Sequence, residues 1–424
     1  MTNSPYIPFI EFCAGVSSFH QASKRIMNAQ FECIGTSEID SFCNTFLDQQ
    51  GLNVFGDVNY VACSDEEHPY TAICKADDIV PCEINNDISS LTMQDLLEGI
   101  VPFPKAAIAG FSCQTLSSAN TLEHDGINGK KSGIIHCLLD KFEDLQPEVI
   151  ILENSPNLLS GGLEYCVSRL TEMGYRVEWD VISATAFGYP YYRHRCFIVA
   201  YNSDSPIYHS TASVLDVVAS KHAVHKPGSK FPTLANHSKT LMDDIVSLES
   251  KGNYRRHRVK ALGNSILVNI AQAILQVIAD LYCDCTSHSE VIKTRVDPIT
   301  IKDLPLNSKS GFRKFPSRGL AEPGNSGSLM QGAVDKNLNP SKAAYKNLGL
   351  MQSLIANDHK NNFTTSSRLN RPGGLGGLVG YLMQQLDLRE GAINPAYCEQ
   401  FMGFDKGTTA ITTKLMTDKI YKSQ

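Results

Sequence analysis

The sequence predicts an α/β fold, with a doubly wound, mostly parallel sheet and a smaller, loop-rich second domain. Short apolar runs alternate with helical patterns over the first 200 residues, which is typical of such a sheet. Reactive side chains follow the ends of these runs, where ligands bind in open α/β sheets. From residue 286 onward, Pro, Gly, Ser and Asn become frequent, which indicates the second domain.

Six apolar runs have the length of strands. They are residues 7–12, 33–37, 106–109, 149–152, 176–182 and 196–201. Helical spacing of apolar residues predicts helices over 18–27 and 134–145, and a long buried helix over 264–282. No helical pattern separates the last two runs, so we expect an antiparallel hairpin at one edge of the sheet.

Composition excludes several classes of protein. A chain of 424 residues with 42% hydrophobic and 19% charged residues is typical of a soluble globular protein of two or three domains. No apolar stretch approaches the roughly 20 residues that cross a bilayer, and the N-terminus does not resemble a signal peptide. The 13 cysteines are scattered, without the spacing of a disulfide framework or a zinc site. We therefore expect a cytoplasmic protein with no membrane partner and no metal.

The net charge of −6 conceals an uneven distribution. Residues 291–424 hold 18 basic and 10 acidic residues, a net of +8. The remainder holds 20 basic and 34 acidic residues, a net of −14. This distribution favours a polyanion bound by the C-terminal part, and a chance difference between two domains is the alternative.

Three groups of residues at predicted strand ends are suited to attack on a pyrimidine ring. They are Cys113, Glu153, and the pair Arg193 and Arg195. A thiolate that adds to carbon 6 makes carbon 5 nucleophilic, a carboxyl can hold ring nitrogen 3, and a guanidinium can hold the exocyclic oxygen. Each residue alone is usually structural or a surface group, so the prediction rests on their combination and order.

The motifs around these residues resemble those of the DNA (cytosine-5) methyltransferases. The string Gly110-Phe111-Ser112-Cys113-Gln114 is similar to Gly-Phe-Pro-Cys-Gln, and Glu153-Asn154 is similar to Glu-Asn-Val. Tyr191 to Arg195 is similar to Gln-x-Arg-x-Arg. The resemblance implies methyl transfer to a flipped-out cytosine, because a stacked base cannot reach a deep pocket. Ser112 and Tyr191 depart from the family's Pro and Gln, and we expect slower turnover.

The first three predicted strands end in features of a nucleoside pocket. A turn of small residues begins at Cys13, and carboxylates follow at Glu38 and Asp57, suited to ribose hydroxyls and an adenine amino group. No phosphate loop is present, so the pattern fits S-adenosylmethionine better than NAD. With the resemblance, it predicts these cofactor-binding residues: Phe12, Cys13, Ala14, Gly15, Val16, Phe19, Glu38, Ile39, Asp57, Val58, Asn264 and Ser265.

Three positions in the first turn depart from the family. Cys13 replaces an aromatic residue, and Ser17 and Ser18 replace glycines. Either the affinity for the cofactor is lower, or packing elsewhere compensates.

Two further motifs stand in an unusual order. Gly263-Asn264-Ser265 resembles the family's last motif, and residues 393–404 resemble its penultimate motif, which here comes afterwards. Too few residues separate Arg195 from Gly263 for a recognition domain. We predict a catalytic domain over 1–205, a connecting insertion over 206–252, a returning helix over 253–285 and a DNA target-recognition domain over 286–424.

The leading hypothesis is a monomeric enzyme that methylates carbon 5 of cytosine in double-stranded DNA in a prokaryotic or phage-infected cell. A cognate restriction endonuclease as a partner is left open. The alternatives are a tRNA cytosine-5 methyltransferase and a catalytically silent DNA-binding or regulatory homologue. The basic C-terminal part favours DNA over tRNA, and the intact Cys113, Glu153 and arginine pair favour an enzyme.

Overall fold

A computed structural model describes most of the chain. The described residues are 4–58, 61–63, 91–111, 127, 133–210, 213–222, 229, 244–247, 254–283, 298–300, 304–307, 310–323, 328–330, 350–363 and 377–411. The strands are β1 (Tyr6–Phe12), β2 (Gln30–Ser37), β3 (Val61–Cys63), β4 (Leu91–Thr92), β5 (Ala106–Gly110), β6 (Val149–Asn154), β7 (Arg176–Ser183), β8 (His194–Tyr201), β9 (Val246–Ser247), β10 (Pro298–Thr300), β11 (Arg318–Ala321), β12 (Ser328–Met330) and β13 (Ala392–Ile393).

Helices flank the sheet. They are α1 (Ser18–Ser23), α2 (Ser41–Gln49), α3 (Met93–Leu97), α4 (Ile134–Leu145), α5 (Leu163–Glu172), α6 (Val214–His222), α7 (Arg255–Asn264), α8 (Val268–Cys283), α9 (Gly377–Leu386) and α10 (Pro395–Phe401). The stretch predicted as one helix over 264–282 is divided, because the chain is extended at Ser265 and α7 and α8 meet at a bend of 47°.

The main sheet has the order β10-β12-β11-β7-β8-β6-β5-β1-β2. Strands β2, β1, β5 and β6 are parallel, so their carboxyl ends meet at one edge. Successive residues of β1 pack into two different hydrophobic cores. Phe9 packs in the core that contains α1, α2 and α8, and Ile10 packs in the core that contains α4 and α5. Helices therefore cover both faces, and the predicted doubly wound α/β fold is confirmed. The sheet is mixed rather than mostly parallel, because the strands from β8 outward pair antiparallel with their neighbours.

The antiparallel pairing of β7 with β8 agrees with the sequence, but its predicted position at a sheet edge is wrong. Strand β11 pairs with the free side of β7, and β12 and β10 continue the sheet beyond it. Two contacts fix this pairing: Arg318 forms an ion pair with Asp180, and Gly319 lies flat on Trp179, whose ring a Cβ would meet at 2.1 Å.

The described parts of 286–424 share the core of the first 205 residues. Besides β10 to β12, helix α10 packs on α7, and residues 350–363 contact the same helix. Helix α6 also lies in the core, since Val214, Leu215, Val217, Val218 and Ala219 are buried and Glu178 on β7 accepts hydrogen bonds from the helix start. This arrangement differs from the predicted separate domain and connecting insertion.

Among the described residues, no single helix is long and apolar enough to cross a membrane. The bent pair α7 and α8 meets the length and composition criteria together.

Candidate active site

Those of the predicted functional residues that the structure describes gather at the edge of the sheet where the parallel strands end. Glu153 lies near the end of β6, opposite Gly110, the last residue of β5. Cys113 follows Gly110 by three positions and lies outside the described residues. The backbone that leads to it is anchored, because the Asn154 side chain donates a hydrogen bond of 3.1 Å to the carbonyl of Phe111.

Glu153 and Arg195 form a largely buried ion pair. Nε of Arg195 lies 2.8 Å from Oε1 of Glu153, and the two side chains are 24% and 9% exposed. Burial raises the pKa of Glu153 above its ordinary value, while the charges of Arg195 and Arg193 oppose that rise. The neutral carboxyl therefore persists to higher pH than that of an ordinary glutamate, as a group that donates to a ring nitrogen requires.

Gly110 lies within contact distance of this carboxyl and of the chain after α7. A Cβ at Gly110 would lie 3.4 Å from Oε2 of Glu153 and 3.8 Å from Cδ1 of Ile266. Ile266 belongs to the chain between α7 and α8, so the last motif lies beside the ends of β5 and β6.

Arg193 has different surroundings from Arg195. Its guanidinium is buried and donates to the carbonyls of Gly263, Ser265 and Leu354 at 3.0, 2.6 and 2.9 Å. It thereby holds backbone, whereas Arg195 lies on the Glu153 carboxylate.

Tyr191, which stands where the family has Gln, is a structural anchor. Its ring is stacked on that of Phe401 at 4.1 Å, and its hydroxyl donates to the Phe401 carbonyl at 2.6 Å. The change from Gln therefore attaches the penultimate motif, on α10, to the start of β8.

The predicted cofactor turn is organised by Glu38. Its carboxylate accepts the backbone N–H groups of Gly15, Ile39 and Asp40 at 2.7, 2.8 and 2.9 Å, so the ends of β1 and β2 are tied together. Three of roughly four acceptor positions are used, which leaves one for a hydroxyl of a ligand.

Cys13 lies next to two of the predicted carboxylates. Burial raises the pKa of the Cys13 thiol, and the neighbouring charges of Glu38 and Asp57 raise it further. Ile39 is 68% exposed at the end of β2, which offers an apolar surface to a flat ring. These residues provide hydrogen-bond acceptors, negative charge and apolar surface, which fit the hydroxyls, amino group and positive sulfonium of S-adenosylmethionine.

Two serines take the place of the family's glycines without loss of order. Ser17 adopts the left-handed conformation that favours glycine, with φ of 49°, and its hydroxyl donates to the buried carboxyl of Glu11 at 2.5 Å. Burial raises the pKa of Glu11 to about 7, while the Ser17 bond opposes that rise. The Ser18 hydroxyl donates to the Ile266 carbonyl at 3.0 Å, so each serine makes a hydrogen bond that a glycine could not make.

The other cofactor candidates differ in exposure. Asn264 is exposed, Ala14 and Ser265 are almost fully buried, and Ser265 Oγ bonds to the Leu262 carbonyl. Four other cofactor candidates are buried in the core beneath the turn: Phe12, Val16, Phe19 and Val58.

Sequence reasoning missed three contributors. Asn154 anchors the backbone at Phe111, which its place in the motif does not reveal. The ion pair of 2.8 Å between Lys260 and Asp40, next to the predicted cofactor turn, has no local signal in the sequence. Residues 350–363, which reach Arg193, match no motif. Within the part of the chain that the structure describes, no group of three or more His, Cys, Asp or Glu side chains could hold a metal ion.

Comparison with known proteins agrees with this geometry. The family model of the C-5 cytosine-specific DNA methylases matches residues 7–260. The chain belongs to this family. Among curated relatives, the type II methyltransferase M2.BsuMI of Bacillus subtilis is 29% identical over 149 residues, or 33% of this chain and 38% of the relative. The type II methyltransferase M.Sau3AI of Staphylococcus aureus is 28% identical over 178 residues, which are 38% of this chain and 43% of the relative.

The chain thus spans less than half the length of either relative. Among solved structures, the S. pombe Dnmt2 methyltransferase has a TM-score of 0.34 at 14% identity, covering 65% of this C-5 methylase chain and 95% of that chain.

Proposed function

We propose that this chain transfers a methyl group from S-adenosylmethionine to carbon 5 of cytosine in double-stranded DNA. The observation that carries the proposal is the buried ion pair between Glu153 and Arg195, at the strand end from which Cys113 follows. A carboxyl with a raised pKa beside a guanidinium suits a ring nitrogen next to a carbonyl oxygen, which is the hydrogen-bonding edge of cytosine.

In the proposed reaction, the Cys113 thiolate forms a bond from Sγ to carbon 6 of a flipped-out cytosine. Glu153 donates a proton or hydrogen bond to ring nitrogen 3, and Arg195 holds the exocyclic oxygen, so the charge that develops on the ring is stabilised. We assign the oxygen contact to Arg195 rather than to both arginines, because the Arg193 guanidinium binds backbone carbonyls.

S-adenosylmethionine supplies an electrophilic methyl group on a positive sulfur and leaves as S-adenosylhomocysteine. Glu38, Asp57 and Ile39 are the residues that would hold its adenosine part, and Asn264 borders the same turn region. After methyl transfer, a base removes the carbon-5 proton, and the electron pair of that bond re-forms the double bond between carbons 5 and 6. The thiolate of Cys113 is expelled, and a proton transferred to ring nitrogen 3 returns to Glu153. Water or hydroxide is the base that we propose for this last step.

Double-stranded DNA is proposed as the substrate because the basic excess lies in residues 291–424. A paired restriction endonuclease, a monomeric state and a cytoplasmic location stay predictions.

The test is expression of the chain in a host without cytosine-5 methylation, followed by bisulfite sequencing of host DNA. We expect protected cytosines within one short sequence. Unprotected DNA together with methylated transfer RNA would favour the tRNA alternative, and no methylation of either would favour the silent homologue.

A further inference from the structure

Residues 351–358, outside the part that the family model matches, run along the catalytic edge of the sheet. The Met351 N–H donates to the Pro190 carbonyl at 2.6 Å, and Met351 pairs with Tyr191 in a parallel bridge. The segment thus begins in contact with Tyr191, which precedes Arg193 by two positions and leads into β8.

Arg193 joins this segment to the turn after α7. One terminal nitrogen donates to the Leu354 carbonyl at 2.9 Å and to Ser353 Oγ at 3.3 Å. The other donates to the carbonyls of Gly263 and Ser265 at 3.0 and 2.6 Å. A planar guanidinium can bind both pairs of acceptors at once, which a lysine ammonium cannot do.

The segment also lies directly against the same turn. A Cβ on Gly263 would lie 2.4 Å from the backbone of Ile355 and of Ala356, so a larger residue would displace the segment. Asn264, a cofactor candidate, comes next in the chain.

Asp358 holds the far end of the segment. Its fully buried carboxylate accepts the N–H groups of Ile355, Leu378 and Val379 at 3.0, 3.1 and 3.3 Å. It therefore fixes the turn of the segment to the first residues of α9.

We propose that Arg193 is a positioning residue, which clamps residues 351–358 to the turn 263–265 and so couples the C-terminal region to the cofactor site. The clamp sets the position of Asn264 on one side and of Arg195, two residues along, on the other. This proposal rests on the proposed function, because it assigns S-adenosylmethionine to the turn that carries Asn264.

The test compares Arg193→Lys and Asp358→Asn with the wild type, by calorimetry with S-adenosylhomocysteine. We expect the dissociation constant to rise about tenfold for Arg193→Lys and about threefold for Asp358→Asn, although Asp358 contacts none of the predicted cofactor residues. In the double variant the effect should equal that of Arg193→Lys alone, because the clamp is already open. Hydrogen exchange of residues 351–358 should rise in both single variants.

Arg176→Lys is the matched control. Arg176 lies at the opposite edge of the sheet, where it also donates to a carbonyl, that of Tyr208, and binds a carboxylate, that of Glu322. The Arg176→Lys substitution should lower thermal stability and leave the affinity for S-adenosylhomocysteine unchanged. Unchanged affinity in Arg193→Lys, an equal loss in Arg176→Lys, or additive effects in the double variant would overturn the clamp. A wild type that neither binds the ligand nor methylates DNA would instead overturn the proposed function.

Discussion

Replacing Glu153 with glutamine tests the role of the buried carboxyl. Removal of one member of a buried ion pair costs about 3–5 kcal/mol of stability when the partner charge is left alone. Glutamine keeps an acceptor oxygen at the position where Oε1 of Glu153 lies 2.8 Å from Nε of Arg195. We therefore expect the free energy of unfolding to fall by only about 1 kcal/mol. Glutamine can no longer release a proton to a ring nitrogen, and loss of general acid catalysis lowers rates by about 10²–10⁴. That loss corresponds to about 3–5.5 kcal/mol of activation free energy.

The assay is single-turnover methyl transfer with DNA and S-adenosylmethionine both saturating, alongside denaturant unfolding of the same preparations. Because burial raises the pKa of Glu153, the wild-type rate should fall as pH rises through that pKa, where the neutral form is lost. The Glu153→Gln variant should lack this limb of the pH profile. A Glu153→Gln rate within threefold of the wild type, with the same pH profile, would refute the assignment.

Three further outcomes are expected. Glu38→Ala should weaken S-adenosylhomocysteine binding at least tenfold in calorimetry, because the carboxylate ties the ends of β1 and β2 together; unchanged affinity would remove it from the site. Glu399→Ala should lower the free energy of unfolding by about 3–5 kcal/mol in urea, since it leaves the buried guanidinium of Arg258 without its carboxylate at 2.8 Å. The more exposed Arg169→Ala, as a control, should cost about 1 kcal/mol or less. Deletion of 286–424 should give an unfolded chain by circular dichroism, because it removes three strands of the main sheet; a folded truncated enzyme would contradict the shared core.

The strands and their functional ends could be predicted because their signals are local. Five residues of α4 are buried at spacings of three and four, and the predicted bounds of that helix match the structure. Glu153 and Arg195 were found because each lies within or beside a short apolar run. The apolar run beside Glu153 forms β6, and the run beside Arg195 forms β8. Antiparallel pairing of these two strands brings the two side chains together.

The different positions of the two arginines could not be predicted. Arg193 and Arg195 are two residues apart in one motif, but the acceptors of Arg193 lie 70 and 161 positions away along the chain. Such contacts leave no periodic signal. The C-terminal strands were missed for the same reason, because the pairing of β11 depends on distant partners, such as Trp179 beneath Gly319.

Composition misled the domain prediction. Frequent Pro, Gly and Ser after residue 286 predict a separate unit, yet small residues are also what close packing requires. Gly377, with φ of 87°, is such a case, since a Cβ there would lie 2.6 Å from the Asp358 carboxylate.

The central claim is a transient covalent bond between Cys113 and the target base. A duplex that contains the methylated sequence, with 5-fluorocytosine at the target position, tests it most directly, because fluorine cannot leave as a proton does and the adduct persists. With S-adenosylmethionine present, the wild type should form a complex that survives denaturing electrophoresis and maps by mass spectrometry to Cys113, and Cys113→Ser should form none. Methylation of normal DNA by the wild type without any trapped complex, or trapping through another residue, would contradict the account.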